Sequence, residues 1–222
     1  MIDEYLRIFC LTIIDDLNEK HKGILARSDE LKNISTDYSE ADFVFRIGYF
    51  FGERAAFERK KQKKKNQDIQ EHVDIFVPSK DFEIEVKFSK PHKSDDGKYN
   101  NKLPWEQMVK DFLWLKEEVV SKKYQRAFVV GWFNTDEFNK LTQLGARQED
   151  GKRSGRHPMI DRNKVFYFPF ISSDENGRTE SVKIDYEKVG KELSIDIPNF
   201  DGQLNCLFLG NKEDIFHIAL YF

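Results

Sequence analysis

Cysteine is nearly absent from this chain. Cys10 and Cys206 are the two among 222 residues; they cannot make a disulfide scaffold, and they fit a reducing compartment. Nor do they combine with the scattered histidines at the spacing a zinc site needs. Long hydrophobic runs are missing too: the apolar stretch 8–14 is broken by Thr12, and the chain opens on acidic Met1-Ile-Asp-Glu4. Neither a membrane span nor a signal peptide is expected, and the expected location is cytoplasmic. Positive charge is not in excess, since the formal net charge is −3, so no global basic field announces a nucleic-acid partner. There is no internal repeat and no low-complexity linker. What is present is 39% hydrophobic residues with 20 phenylalanines, enough for one core and one elaborated domain over residues 1–222.

The most informative stretch is 72–89, HVDIFVPSKDFEIEVKFS. Phe82, Ile84, Val86 and Phe88 alternate with Glu83, Glu85, Lys87 and Ser89, the period-two signature of a half-buried strand. Pro78-Ser-Lys-Asp81 separates this run from Val73-Asp-Ile-Phe-Val77 and reads as a four-residue loop, with Pro suited to a type I turn. A hairpin closed there sets Val77 against Phe82, and therefore Asp74 against Glu85. Opposed residues on antiparallel strands share a face, with Cβ atoms about 4.5–5.5 Å apart. Lys87 falls on the same face about 7 Å along the strand. Two opposed carboxylates destabilise a hairpin, and a divalent cation bound between them would offset that. An odd loop would slip the register and send Asp74 to the wrong face; this loop is even.

An Asp on one strand, then ten residues, then Glu-x-Lys on the next resembles the PD-(D/E)XK nuclease superfamily. The matching positions are Asp74, Glu85, Val86 and Lys87, with Val73 where the motif has its Pro. The resemblance covers residues 36–133. It implies an α/β fold with a restriction-endonuclease-like core, a central mixed sheet flanked by helices. A helical part over 1–35 would precede that core, and an added C-terminal β-rich region within 134–222 would follow it. The implied activity is that of a metal-dependent nuclease, a hydrolase of phosphodiester bonds, chiefly in DNA, of restriction or defence type, with Mg²⁺ (or Mn²⁺) as cofactor. By the same resemblance Asp74, Glu85 and the Val86 carbonyl hold the metal, while Lys87 orients or deprotonates the attacking water. A Glu from the helix before the hairpin often joins the metal site in this superfamily. Glu53 is the candidate here, with Glu40 and Asp42 less well placed near the helix start. Gln107 resembles the Gln of the RecB-like Gln-x-x-x-Tyr pattern, although the fourth residue on is Asp111, not Tyr.

The flanking elements follow from periodicity. Ile2, Leu6, Phe9, Ile13 and Leu17 recur at helical spacing, and that helix ends near Gly23. A second short helix is expected over 24–31. Asp37-Tyr-Ser-Glu40 offers a capping box ahead of Phe43, Ile47 and Phe51, and a first core strand is expected over 55–61. Pro104 opens a helix with Trp105, Met108, Phe112, Leu115 and Val119 on one stripe. Residues 127–133 read as a strand buried on both faces, completing a strand–helix–strand unit. Beyond it come a short helix over 135–144, a strand over 165–171, and a terminal hairpin of 204–209 and 215–221 in which His217 is a core histidine.

The candidate nucleic-acid contacts are local. They are Lys60, Lys61, Lys63 and Lys64 in a basic run, and Lys90, Lys93, Lys98 and Lys102 in the polar loop after the second hairpin strand. Arg153 and Arg156 in a later basic loop complete the set. The run at 59–65 reads equally well as solvated surface, and for the loop of Arg153 and Arg156 a solvated loop is the default. The C-terminal additions are candidates for selecting substrate, completing the sheet or building a homodimer. Two other functions stay open: a nuclease-fold module that binds nucleic acid without cleaving it, and a protein-interaction module whose hairpin carboxylates are surface charge.

Overall fold

The computed structural model describes residues 3–52, 55–60, 72–90, 110–115, 125–135, 190, 192–196, 203–211 and 213–222. Helix α1 (Glu4–Lys20) begins at Asp3, whose Oδ1 accepts the Leu6 N–H at 3.1 Å, and it buries Leu6, Cys10, Ile13, Ile14 and Leu17. Helix α2 (Asp29–Thr36) starts later than the 24–31 pattern predicts. Ser28 accepts the Leu31 N–H and caps it, and Arg27, at a φ of 63°, interrupts the helical path just before. Helix α3 (Glu40–Phe51) also has a different cap from the one expected. Asp42 accepts from both the N–H and the O–H of Ser39 at 2.7 Å, and these bonds hold its carboxyl below the usual carboxylate range. Capping therefore falls to Ser39 and Asp42 rather than to Asp37 and Glu40.

Among the described residues seven strands form one sheet: β1 (Ala56–Lys60), β2 (His72–Val77), β3 (Phe82–Phe88), β4 (Gln125–Phe133), β5 (Glu192–Asp196), β6 (Gln203–Leu209) and β7 (Phe216–Tyr221). Their order is β1-β2-β3-β4-β7-β6-β5. The β3–β4 pair is parallel and the others are antiparallel, so the fold is α/β with an open mixed sheet. The loop between β2 and β3 is a tight 3₁₀ turn over Pro78–Lys80, followed by Asp81 at a φ of 47°. The even spacing holds, and Val77 pairs with Phe82.

One face of the sheet packs on the helices. Ile75, Val77, Ile84, Val86, Val129 and Ile218 share a core with Leu6, Ile13, Phe43 and Ile47. Phe43 of α3 is the key: its ring lies 4.7 Å from Phe88 and stacks on Phe216 at 4.8 Å. On the opposite face the helical residues 110–115 cover β4. Phe112 meets Phe128 at 5.3 Å and Tyr221 at 4.9 Å. Arg126 pairs with Glu83 at 2.8 Å, donates to the Trp114 carbonyl at 2.7 Å and lies over the Trp114 ring. Burial of β4 on both faces is what its unbroken apolar run predicts. Among the described residues, no helix is long and apolar enough to cross a membrane.

Candidate functional site

The chemistry-bearing residues of β2 and β3 occupy the sheet face away from α1–α3. The ladder pairs Ile75–Ile84, Phe76–Glu83 and Val77–Phe82 set the register; continued by one residue, it would put Asp74 opposite Glu85. Past the last ladder pair the Asp74 side chain takes over, its Oδ2 accepting the Val86 N–H of β3 at 2.8 Å. Alternation then places Asp74, Glu85 and Lys87 on one face while Val86 and Ile84 enter the core. Glu85 is buried, and Asp74 and Lys87 are half-buried.

Two further acids complete the group. Glu40, at the first position of α3, bridges to the end of β3: its Oε1 lies 3.5 Å from Lys87 Nζ, and its Oε2 accepts the Phe88 N–H at 3.4 Å. Phe43, three residues on, docks α3 against Phe88 and so holds Glu40 at that strand end. Asp111 comes from the helical residues 110–115 on the other side and is buried. Burial by itself would lower the Lys87 pKa. Four acids oppose it, Asp111 foremost and then Glu40, Glu85 and Asp74, and together they hold the ammonium above its ordinary value.

The expected residues fare differently. Asp74 and Glu85 stand on neighbouring strands, with Asp74 bonded to the Val86 N–H and both carboxylates acting on the Lys87 ammonium. Glu53 and Gln107 lie outside the described residues, as do Lys61, Lys63, Lys64, Lys93, Lys98, Lys102, Arg153 and Arg156. Lys60 closes β1 opposite His72. Lys90 donates to the Tyr38 carbonyl at 3.3 Å, beside the site. Glu40, ranked behind Glu53 on sequence, is the helix carboxylate brought to the lysine. Asp111 was visible only as the residue standing where the RecB-like pattern has Tyr.

The donors suit a hard cation. Two carboxylates and the Val86 carbonyl are oxygen ligands of the kind Mg²⁺ and Mn²⁺ take, and neither cysteine is near, both being buried thiols. Among the described residues, no three His, Cys, Asp or Glu side chains already form a group that could hold a metal ion. Mg²⁺ commonly uses one or two carboxylates and completes its shell with water and substrate phosphate, so the donor pair fits that habit better than a closed cage. A groove of about 420 Å³ between α1 and α3, lined by Ile13, Phe45, Tyr49 and Phe50, lies apart from these acids. Compared with family models, curated proteins and solved structures, the chain matches none.

Proposed function

We propose that this protein is a metal-dependent phosphodiesterase, a nuclease acting on DNA, built on a restriction-endonuclease-like core. The observation that supports the reading is the β2–β3 register, whose continuation by one residue beyond Ile75–Ile84 would oppose Asp74 to Glu85 with Lys87 on the same face. A divalent cation, when bound, supplies Lewis acidity at phosphate and a bound water of lowered pKa. Asp74, Glu85 and the Val86 carbonyl are the groups that would hold it.

Lys87 serves as a charged donor. Surrounded by four acids, it stays an ammonium that can orient a water molecule and offset charge gathering on phosphate oxygens. Glu40 steadies that ammonium from the α3 side, and Asp111 does so from the covering helix.

The test is cleavage of plasmid and oligonucleotide DNA with Mg²⁺ or Mn²⁺. Asp74→Ala and Lys87→Ala should each lower the rate by about 10²–10⁴-fold, and Lys87→Ala should leave the far-ultraviolet spectrum unchanged. Wild-type rates in either variant would rule the reading out. A second reading, binding without cleavage, draws on the engagement of Asp74 Oδ2 by the Val86 N–H. It predicts metal-indifferent binding and no cleavage by the wild type.

A further inference from the structure

Where the β2–β3 ladder stops, side chains take over the edge of β3. Past Ile75–Ile84, the N–H groups that continue along this edge are those of Val86 and Phe88, because alternate residues point the same way. Carboxylates accept from both: Val86 donates to Asp74 Oδ2 at 2.8 Å, and Phe88 donates to Glu40 Oε2 at 3.4 Å. The other oxygen of Glu40, Oε1, stands 3.5 Å from Lys87 Nζ. Glu40 thus gives one oxygen to a backbone N–H and the other to an ammonium.

Both contacts are long. Charge-assisted bonds of this kind ordinarily close to about 2.7–2.9 Å, a distance that Asp74 reaches and Glu40 does not. The Glu40 side chain is 42% exposed and that of Lys87 22%, so the carboxylate lies on the open side of the pair. Helix α3 does not need it as a cap, since Ser39 and Asp42 perform that task, and Phe43 docks the helix on Phe88. Rotation about the Glu40 side-chain bonds alone would free both donors. An ammonium and a backbone N–H aimed at two oxygens of one anion are donors of the kind that hold nucleic-acid phosphates. A phosphodiester carries the same single charge as a carboxylate and likewise offers two unbridged oxygens. One can replace the other at these donors without changing the charge of the site, whereas both together would set like charges in contact.

We propose that Glu40 keeps the place of a phosphodiester: the phosphate of an arriving strand takes the Lys87 Nζ and Phe88 N–H donors, and the Glu40 carboxylate turns out to solvent. The inference rests on the nuclease reading for the identity of the strand. To that reading it adds the donors that hold the phosphate and the internal anion that competes with it. Asp74 and Glu85 are left to the cation.

The experiment measures the affinity of the full chain for a fluorescent single-stranded DNA oligonucleotide, with Ca²⁺ in place of Mg²⁺ to suppress turnover. Glu40→Gln removes the competing anion and should tighten binding about tenfold, the size of one charge-assisted hydrogen bond. Glu40→Ala should show the same gain, so the result does not hang on how the amide packs. In a Lys87→Ala background the gain from Glu40→Gln should vanish, because the donor it frees is gone. Glu19→Gln, which removes an acid paired with Lys22 on the surface, should leave the affinity unchanged and so controls for net charge. In amide NMR spectra the Phe88 peak should move in Glu40→Gln and move again when the oligonucleotide is added. If Glu40→Gln and Glu40→Ala bind no tighter than Glu19→Gln, or bind more weakly than the wild type, the place-holder is refuted, while metal-dependent cleavage would still uphold the nuclease reading. If the affinity rises as expected but no metal supports cleavage, the place-holder stands and the hydrolase reading fails. Absence of binding by the wild type and both Glu40 variants overturns the place-holder.

Discussion

His217 shows how much a single buried group can weigh. It is wholly buried on β7, and its Nε2 meets the Asn211 carbonyl at 2.9 Å. Burial pushes its pKa from 6.5 down to about 4. Unfolded, the imidazole takes up a proton near pH 6.5; folded, it does so only near pH 4. Its contribution to stability is therefore whole above about pH 6.5, declines as acid is added and is gone below pH 4, roughly 3 kcal/mol in all. NMR titration should find the ring neutral down to about pH 4, and His217→Gln should flatten the stability profile between pH 6.5 and 4. A ring that titrates near 6.5 would contradict the burial argument. The two thiols are as deeply placed, with burial pushing Cys10 up to about 12 and Cys206 higher still, so neither is a nucleophile at neutral pH.

At the scale of elements, two packing devices hold the acid group in place. The first is the Arg126–Glu83 pair, which ties β3 and β4 to the covering helix through the Trp114 carbonyl. Both side chains are largely buried, so removing one partner strands the other charge. Arg126→Met should cost about 3–5 kcal/mol, whereas Arg126→Met with Glu83→Leu should regain most of that. Urea denaturation decides, and equal losses in the single and double variants would count against a buried pair. The second device is Phe43, wedged between Phe88 and Phe216. Phe43→Ala should destabilise the fold by about 3–5 kcal/mol, and a loss below 1 kcal/mol would mean α3 docks by other contacts.

These elements also mark what could be read from residues alone. The even loop and the apolar run of β4 are local patterns, and both are realised; the 82–88 run forms its strand, but Glu83 and Glu85 are buried, so the strand is covered on both faces instead of half-buried as its alternation predicts. The choice of helix carboxylate is not local. Asp37–Glu40 and Ser39–Asp42 are overlapping capping patterns, and only the folded chain shows the second in use, which leaves Glu40 to reach Lys87. Asp111 arrives at the same lysine through the docking of Phe112 on β4 and β7, a contact between distant parts of the chain that periodicity does not encode. The late start of α2 has the same character, since it depends on the left-handed turn at Arg27.

Over the whole molecule, the ends of the chain close on one another around the sheet. β7 sits between β4 and β6. Asn18 of α1 holds the entry to β7, donating to Asp214 at 2.8 Å and accepting the Ile215 N–H at 2.9 Å. The C-terminal strands therefore extend the sheet that carries the hairpin, and they shield β4 from being an edge. On that scaffold four acids act on one ammonium, and the proposed cation would be held by two of them. Titration of Mn²⁺, followed by calorimetry and electron paramagnetic resonance, tests this most directly. The wild-type chain should bind Mn²⁺, with binding lost or weakened at least tenfold, about 1.4 kcal/mol, in Asp74→Ala and in Glu85→Ala. Uptake that is absent from the wild type, or indifferent to both carboxylates, would contradict it.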